Sequence, residues 1–318
     1  MKVEDIRDAA MIGAGTMGAG FGLCFALARC RARLYDINQE QLDLGLTRIK
    51  NALDLFVSEG VITNQEAEAA LPLISATTDL KEALSGVQFV LEAVPEVMDL
   101  KQNLFPEIES MVAEDTILAS NTSALSITGI ASVCERPENI CGMHWFNPPE
   151  LVPLVEVIKG EKTSKETAST VYELVEKLDH EPIMVKKEAP GFVGNRMQLA
   201  LFREALHILE DGIAEPEDVD KAVKYALGFR WSWQGPAETA DLGGLDTWNY
   251  VATYLFTKLS NMTETPGFFQ KMIKDGKLGV KNGKGFYDYD SQAGLDAVRK
   301  RDLYFIRQRK TVREVKES

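Results

Sequence analysis

At 318 residues the chain exceeds what one average core supports, so two domains are the expectation. Its make-up, 45% hydrophobic and 26% charged with no apolar run of membrane-span length, is that of an ordinary globular protein. A formal net charge of −13 repels a polyanion, which excludes nucleic acid as an expected partner.

The opening Met1-Lys2-Val3-Glu4-Asp5 carries no apolar leader. Cys24, Cys30, Cys134 and Cys141 have the spacing of neither a zinc site nor a disulfide framework, so a cytoplasmic protein with reduced thiols and no metal is expected. Strand-like apolar runs follow at 9–12, 32–35, 87–91, 116–119, 140–144, 154–158 and 182–185, with helix-length segments at 17–29, 39–57 and 100–111 between some of them. This βαβ rhythm predicts an α/β fold with a mostly parallel sheet and helices on both faces. Asn38 is a candidate N-cap, and Thr63-Asn64-Gln65-Glu66 starts another helix, so 38–70 reads as an inserted helical hairpin.

Residues 186–191 have linker composition, and strand signals fade beyond them. Helices are expected at 192–210, from 215 to a stop at Gly228, at 247–259 and at 266–274. The expected organisation is a nucleotide-binding α/β domain over 1–187, an all-helical substrate and dimerisation domain over 188–290, and a basic helical extension over 291–318. That extension holds Arg299, Lys300, Arg301, Arg307, Arg309, Lys310, Arg313 and Lys316, whereas residues 51–80 contain no Lys or Arg beside Asp54, Glu59, Glu66, Glu68 and Asp79. Either charge run could be a plain solvated face.

Gly13-Ala14-Gly15-Thr16-Met17-Gly18 is a G-x-G-x-x-G stretch between a predicted strand and a predicted helix. Its glycines allow a tight turn, a close approach to pyrophosphate, and tight helix–strand packing, with the phosphates on the helix N-terminus. Asp36 closes the second strand at the distance that suits ribose hydroxyls. No basic residue follows it in Ile37-Asn38-Gln39, so NAD is preferred to NADP and the sheet is expected to be of the Rossmann, doubly wound type.

One of three histidines, His144, ends the apolar run 140–144, and the next run carries a single carboxylate, Glu156. An imidazole titrates near neutrality, and a carboxylate can fix its tautomer, which equips the pair to take a proton from a hydroxyl. Taken singly, each residue has a structural explanation: a core histidine with a paired acid, Ser123 in an ST-turn, Asn195 as a helix N-cap. His180 and His207 lack such company and are expected to be structural.

The fingerprint, Asn121-Thr122-Ser123, His144 with Asn147-Pro148, Glu156, the run from Pro190 to Arg196, and Gly283-Lys284-Gly285-Phe286-Tyr287 together resemble the L-3-hydroxyacyl-CoA dehydrogenases in order and spacing over nearly the whole chain. The resemblance implies a two-domain homodimer that oxidises a 3-hydroxyl to a 3-keto group with NAD. It implies His144 as general base, Glu156 on its far nitrogen, Ser123 on the substrate oxygen and Asn195 polarising the carbonyl. For NAD it points to Gly13, Gly15, Thr16, Met17, Gly18, Asp36, Glu96, Lys101, Ser123, Asn147 and Lys281. A rival resemblance, to the lysine-dependent β-hydroxyacid dehydrogenases, fails because residues 191–210 hold Arg196 and Arg203 but no lysine.

Three departures bear on the substrate, one being that the basic tail after Tyr289 extends past the point where CoA users of the family usually end. Where CoA users of the family hold a 3′-phosphate with serine and lysine, this chain aligns Ala52 and Glu59, and an acidic stretch repels phosphate. The segment Leu227-Gly228-Phe229-Arg230-Trp231-Ser232-Trp233 also differs, and makes Arg230 a candidate carboxylate clamp. These features resemble the free-acid members, such as the L-carnitine, L-gulonate and pyridine-carboxylate dehydrogenases. A 3-hydroxyacyl-CoA such as 3-hydroxybutyryl-CoA remains the first expectation. A free hydroxy acid or aromatic aldehyde carboxylate comes next, and an NAD-binding protein without turnover is the alternative of another class.

Overall fold

In the computed structural model, which describes residues 1–317, the apolar runs form strands buried according to their composition. They are β1 (Asp8–Ile12), β2 (Arg31–Tyr35), β4 (Phe89–Glu92), β5 (Ile117–Ser120), β6 (Ile140–Trp145), β7 (Leu154–Ile158) and β8 (Glu181–Val185). Strands β1, β4, β5 and β6 are buried at every residue, the pattern of strands covered on both faces. An eighth strand, β3 (Ile74–Thr77), has no counterpart among the apolar runs. It is a half-buried edge strand whose Ile-Ser-Ala-Thr sequence offers neither alternation nor an apolar run.

The sheet order is β3-β2-β1-β4-β5-β6-β7-β8, a doubly wound arrangement whose direction of winding reverses at β1. Every neighbouring pair is parallel except β6 and β7. The 146–153 connection between those two is too short for a parallel crossover, which needs roughly a dozen residues or more, so the chain must return antiparallel. The resulting register sets His144 directly opposite Glu156.

Helix α1 (Thr16–Leu27) leaves the end of β1 and is buried from Gly18 to Ala26. Gly13 has φ +104°, a left-handed conformation that suits glycine. A Cβ on Gly18 would lie 1.7 Å from the Gly13 carbonyl oxygen, so helix and loop pack with no room for a side chain. The hairpin is α2 (Gln39–Ser58) and α3 (Asn64–Ala70). In α2, Leu42, Gly45, Ile49, Leu53 and Phe56 are buried at helical spacing. Asn38 caps α2 by accepting from Glu40 N at 2.8 Å, and Thr63 with Glu66 forms a capping box on α3. Helices α4 (Leu80–Leu84), α5 (Met98–Met111), α6 (Ile127–Ala131) and α7 (Lys165–Lys177) complete the layers. One hydrophobic cluster joins Ile12, Val90, Phe105, Leu118, Ile127, Ile158 and Phe192.

The chain divides into two compact units, one spanning Met1–Asn195 and a second from Arg196 onward. Helix α8 (Gly194–Glu210) enters the second unit, whose other helices are α9 (Pro216–Ala222), α10 (Gly228–Trp231), α11 (Pro236–Gly243), α12 (Leu245–Leu255), α13 (Gly267–Lys274) and α14 (Ser291–Glu317). Ser318 lies outside the described residues. The helix expected to stop at Gly228 does not stop there. A π-helical turn over Val223–Leu227 carries it into α10, with Gly228 in right-handed helical conformation at φ −62°. Turns of this kind cluster at functional sites. Helix α11 also falls outside the expected helices; it is short and starts at Gly235-Pro236, where the Glu238 carboxylate accepts from Gly235 N.

Within the second unit, Phe202, Phe269 and Phe286 pack in sequence, and the Tyr287 hydroxyl donates to Asp220 at 3.0 Å. Only Leu206 and Ile306 are buried among its described large apolar residues. No helix among the described residues is long and apolar enough to cross a membrane.

The nucleotide loop yields a paired test. Gly18→Val should lower the thermal midpoint by roughly 5 °C or more, from overpacking of about 1–3 kcal/mol, whereas Gly15→Ala should leave it unchanged because a Cβ there meets nothing within 4 Å. Differential scanning calorimetry of both variants checks this; equal midpoints would contradict the packing argument.

Candidate active site

The crevice above β1 and β4, at the reversal in strand order, collects the first group of residues. Gly15 caps α1 without a side-chain acceptor, and the space over it is open. First-turn N–H groups are thus available to an anion, with Thr16 exposed and Met17 half-buried beside them. Asp36 is oriented from both oxygens: Ala14 N donates to Oδ2 at 3.0 Å and Asn38 N to Oδ1 at 3.1 Å. The next residue, Ile37, is 86% exposed, an apolar surface beside the carboxylate. An open anion cradle, an oriented acid and an apolar platform fit a dinucleotide.

A second group is organised by buried charge. Glu92, at the end of β4, is fully buried and accepts from Val94 N (2.7 Å), Ser120 Oγ (2.6 Å) and Lys101 Nζ (2.6 Å). Lys101 is itself only 1% exposed and also meets Glu96 Oε2 at 3.4 Å. Glu96 in turn accepts from the Thr122 hydroxyl and from the N–H groups of Ser123 (2.9 Å) and Ala124 (3.1 Å). Burial pushes the Glu96 carboxyl up, but the Thr122 hydroxyl, the Lys101 ammonium and these two amides outweigh it and hold its pKa below the usual range. The ammonium of Lys101 is thus engaged by two carboxylates, and Glu96 is the member of the group that reaches the exposed Ser123 turn.

The third group is the β6–β7 pair. His144 Nδ1 lies 2.7 Å from Glu156 Oε2, with His144 3% exposed and Glu156 fully buried. The other carboxylate oxygen, Oε1, accepts from Val193 N and Gly194 N, both at 2.9 Å. Burial pushes the Glu156 carboxyl up, yet the bond to His144 and the two amides prevail and its pKa is lowered. An ionised Glu156 keeps the proton on Nδ1. Nε2, which has no hydrogen-bond partner among the described residues, then carries the lone pair. Phe146 and Phe192 flank the imidazole at centroid distances of 4.7 and 5.6 Å.

Ser123 and Asn195 lie against one another. Asn195 Nδ2 lies 3.5 Å from the Ser123 carbonyl oxygen, at the limit of a hydrogen bond. Asn121 Oδ1 accepts from Trp145 N at 2.9 Å, tying the Ser123 turn to the residue after His144. Asn147 is exposed just beyond β6, in a cis bond to Pro148. His180 is buried, with Nδ1 2.8 Å from the Leu178 oxygen and Nε2 2.9 Å from the Pro149 oxygen, which makes it a tie on the 146–153 turn. Lys281 and Arg230 belong to the second unit: Lys281 is exposed in the turn after Gly279, and Arg230 is exposed on α10, its Nε donating to the Ala226 oxygen at 3.2 Å.

Several members of this site do not stand out in the sequence. Glu92 has a signal, an acid closing an apolar strand, as does Ile37, a large apolar residue between polar ones. Asn121 and Phe192 are visible only as parts of motifs. The Val193 and Gly194 amides are backbone donors and have no sequence signal.

Known proteins share this architecture. Residues 8–189 match the family described as 3-hydroxyacyl-CoA dehydrogenase, NAD binding domain, and residues 191–289 match its C-terminal domain. The chain is 34% identical over 304 residues to the 5-formyl-3-hydroxy-2-methylpyridine 4-carboxylate 5-dehydrogenase of Mesorhizobium japonicum, covering 95% of this chain and 97% of that one. It is 38% identical over 289 residues to a probable 3-hydroxybutyryl-CoA dehydrogenase of Bacillus subtilis, covering 91% and 99%. A crystal structure of a 5-formyl-3-hydroxy-2-methylpyridine 4-carboxylic acid 5-dehydrogenase, described as an NAD+ dependent dismutase, superposes with a TM-score of 0.91 at 32% identity, over 97% of this chain and 99% of that one. With both halves matched in order behind a dinucleotide cradle, the chain belongs to the 3-hydroxyacyl-CoA dehydrogenase family and is an NAD-dependent oxidoreductase.

Proposed function

We propose that this enzyme interconverts a hydroxyl and a carbonyl on a compact, carboxylate-bearing substrate that is not attached to CoA. The observation that carries this reading is the charge of the α2–α3 hairpin. Along the hairpin the acids Glu40, Asp43, Asp54, Glu59, Glu66 and Glu68 outnumber the cations Arg48 and Lys50, and from 51 to 80 there is no cation, with Asp54, Glu66 and Glu68 exposed, which opposes a nucleotide 3′-phosphate. Together with the superposition on a free-acid relative, this charge is why the present reading puts the free acid ahead of the acyl-CoA. Supporting it, the superposition over 97% of the chain leaves too few residues outside to omit α14, which lies beyond the family match ending at 289. The relative in that superposition is named for a free pyridine carboxylate. The second reading, a 3-hydroxyacyl-CoA, keeps the support of the Bacillus subtilis relative.

The chemistry is assigned by group. When bound, NAD supplies the hydride acceptor. The loop of Gly13, Gly15, Thr16, Met17 and Gly18 would hold the pyrophosphate and Asp36 the adenosine ribose, with Ile37 as an apolar surface beside it. Glu96, held by Lys101, would serve the cofactor, and Asn147 and Lys281 are assigned to it by family position. Nε2 of His144 takes the hydroxyl proton while Glu156 steadies Nδ1–H; in the reverse direction the imidazolium returns it. Ser123 and Asn195 hold the reacting oxygen with neutral donors, which stabilise developing charge without being consumed. Arg230 clamps the substrate carboxylate, with Trp231 and Trp233 as walls.

A homodimer is proposed on the second unit's surface. Tyr225, Phe229, Leu242, Tyr250 and Phe256 are each more than 70% exposed, and α12 buries none of its residues despite Trp248, Tyr250 and Tyr254. So much apolar surface over so thin a core suits a second copy of the chain.

His144→Gln should lower kcat by about 10²–10⁴-fold with NADH affinity retained, measured by turnover and by fluorescence titration; full turnover would refute the base assignment. Glu156→Gln should also lose turnover. Because the folded-state pKa of Glu156 is depressed, its contribution to stability is present above its ordinary 4.5 and is lost as pH falls through the lowered value. The variant's unfolding free energy should accordingly vary less with pH below 4.5 than that of the wild type, as urea titrations at stepped pH would record.

Substrate class is decided by NADH-linked reduction of acetoacetyl-CoA beside free keto acids and aromatic aldehyde carboxylates. The free acids should turn over and lose roughly 10–100-fold in KM terms in Arg230→Met, the loss of one charge-assisted pair. Efficient reduction of acetoacetyl-CoA alone would establish the second reading. Light scattering after size exclusion should give twice the 35.3 kDa chain mass, and a monomer would refute the dimer.

A further inference from the structure

Residues 186–193 join β8 to α8, and the backbone at the end of this connection is unusual. Gly191 has φ +76° and Phe192 has φ +48°, so two successive residues are left-handed. Glycine adopts that conformation freely, whereas an L side chain resists it, and such outliers concentrate at functional sites. A glycine at 192 would satisfy the turn. A phenylalanine there, 3% exposed, implies that its ring is needed where the turn puts it.

What the turn accomplishes is specific. It presents the next two backbone donors, Val193 N–H and Gly194 N–H, to one atom, Glu156 Oε1, each at 2.9 Å. The other oxygen of that carboxylate holds His144 Nδ1 at 2.7 Å. The Phe192 ring meanwhile lies 5.6 Å from the His144 ring at an interplanar angle of 55°. Phe146, also on the imidazole at 4.7 Å, occupies the place a side chain at 194 would take, since a Cβ there would come within 2.3 Å of Phe146 Cζ.

We propose that Phe192 is a positioning residue for proton transfer, its left-handed backbone aiming two amides at Glu156 while its ring fixes the plane of His144. The proposal deepens, and rests on, the reading of His144 and Glu156 as the proton-transfer pair. Its physical content is twofold. Two N–H donors favour the ionised carboxylate, so the shared proton stays on Nδ1 and the lone pair stays on Nε2. A rigid ring tilted against the imidazole restrains rotation about its side-chain bonds, so Nε2 keeps the direction in which the hydroxyl proton must travel.

Phe192→Leu, Phe192→Gly and Phe192→Tyr separate these parts. Leucine keeps an apolar filling without the flat face, glycine keeps the left-handed turn without the ring, and tyrosine keeps both. The first readout is proton NMR of the strongly hydrogen-bonded His144 Nδ1–H, a downfield resonance identified by its loss in His144→Gln. The second is the division of any steady-state loss between kcat and KM. Leucine should lower kcat by roughly tenfold or more with KM and NADH affinity held, and should broaden or shift the resonance. Glycine should keep the resonance downfield, its amides still in place, and lose kcat; tyrosine should restore both readouts.

A leucine variant with wild-type kcat and an unmoved resonance would overturn the proposal and leave Phe192 as core packing. Normal turnover in His144→Gln is a different failure: it refutes the proton-transfer reading, while the resonance in the leucine variant still decides whether Phe192 positions the imidazole. If leucine unfolds the protein, the tyrosine and glycine variants carry the same comparison, and a glycine variant with full kcat overturns the ring's role.

Discussion

The antiparallel pairing of β6 and β7 is the constraint on which the site depends. Everywhere else the sheet is parallel, built from crossovers that bring helices onto both faces. At residues 146–153 the chain lacks the length for a crossover and must turn back, and the register then puts His144 and Glu156 directly across from one another. Residues opposed in this way share a face and bring their Cβ atoms to about 5 Å, close enough for a carboxylate to grip an imidazole. A register slip of one residue would send the two side chains to opposite faces. The turn that sets this register is tied at Trp145 N by Asn121 and at the Pro149 oxygen by His180. His180, which has no claim on the chemistry, thereby helps maintain it.

Buried carboxylates do the rest of the assembly. A chain with a net charge of −13 places two of its acids, Glu92 and Glu156, at zero exposure. Such burial is tolerable only when every lone pair finds a donor. The donors come from different segments: the end of β4 itself (Val94), α5 (Lys101) and β5 (Ser120) for Glu92, and β6 (His144) with the turn into α8 (Val193 and Gly194) for Glu156. Satisfying each acid therefore fixes the relative placement of three chain segments. The site geometry follows from folding itself, which is the condition for electrostatic preorganisation.

Much of this is legible in the sequence, unevenly. Gly13, Gly18 and Asp36 are readable because their roles follow from local geometry, a turn, a contact and the end of a strand. Asn38 and Thr63 are readable for the same reason. His144 and Glu156 are visible as candidates, although their contact depends on a register that no local signal specifies. The edge strand β3 escapes notice because its half-buried residues, Ile74 to Thr77, have no periodicity to detect. The stop expected at Gly228 fails because glycine permits termination without enforcing it, and here a π-turn carries the helix on. Lys101 is visible only by family likeness; its burial between Glu92 and Glu96 depends on the α5 packing, which residue type does not encode.

The residues proposed for chemistry and for substrate choice lie on parts of different rigidity. His144 and Glu156 sit on strands buried at every residue but Leu154, and Glu96 holds the Ser123 turn, so changing any of them disturbs several segments at once. Arg230, Trp231 and Trp233 stand on and just after a short helix with no buried residue, entered through a π-turn. Segments with few buried contacts open and rearrange at lower free energy than a core strand. If Arg230 binds substrate as proposed, substitution there changes recognition and leaves the β6–β7 pair in place. In the proposed assignment the proton-transfer pair lies on the sheet and Arg230 lies outside it, which is compatible with relatives named for a CoA thioester and for a free pyridine carboxylate at similar identity to one chain.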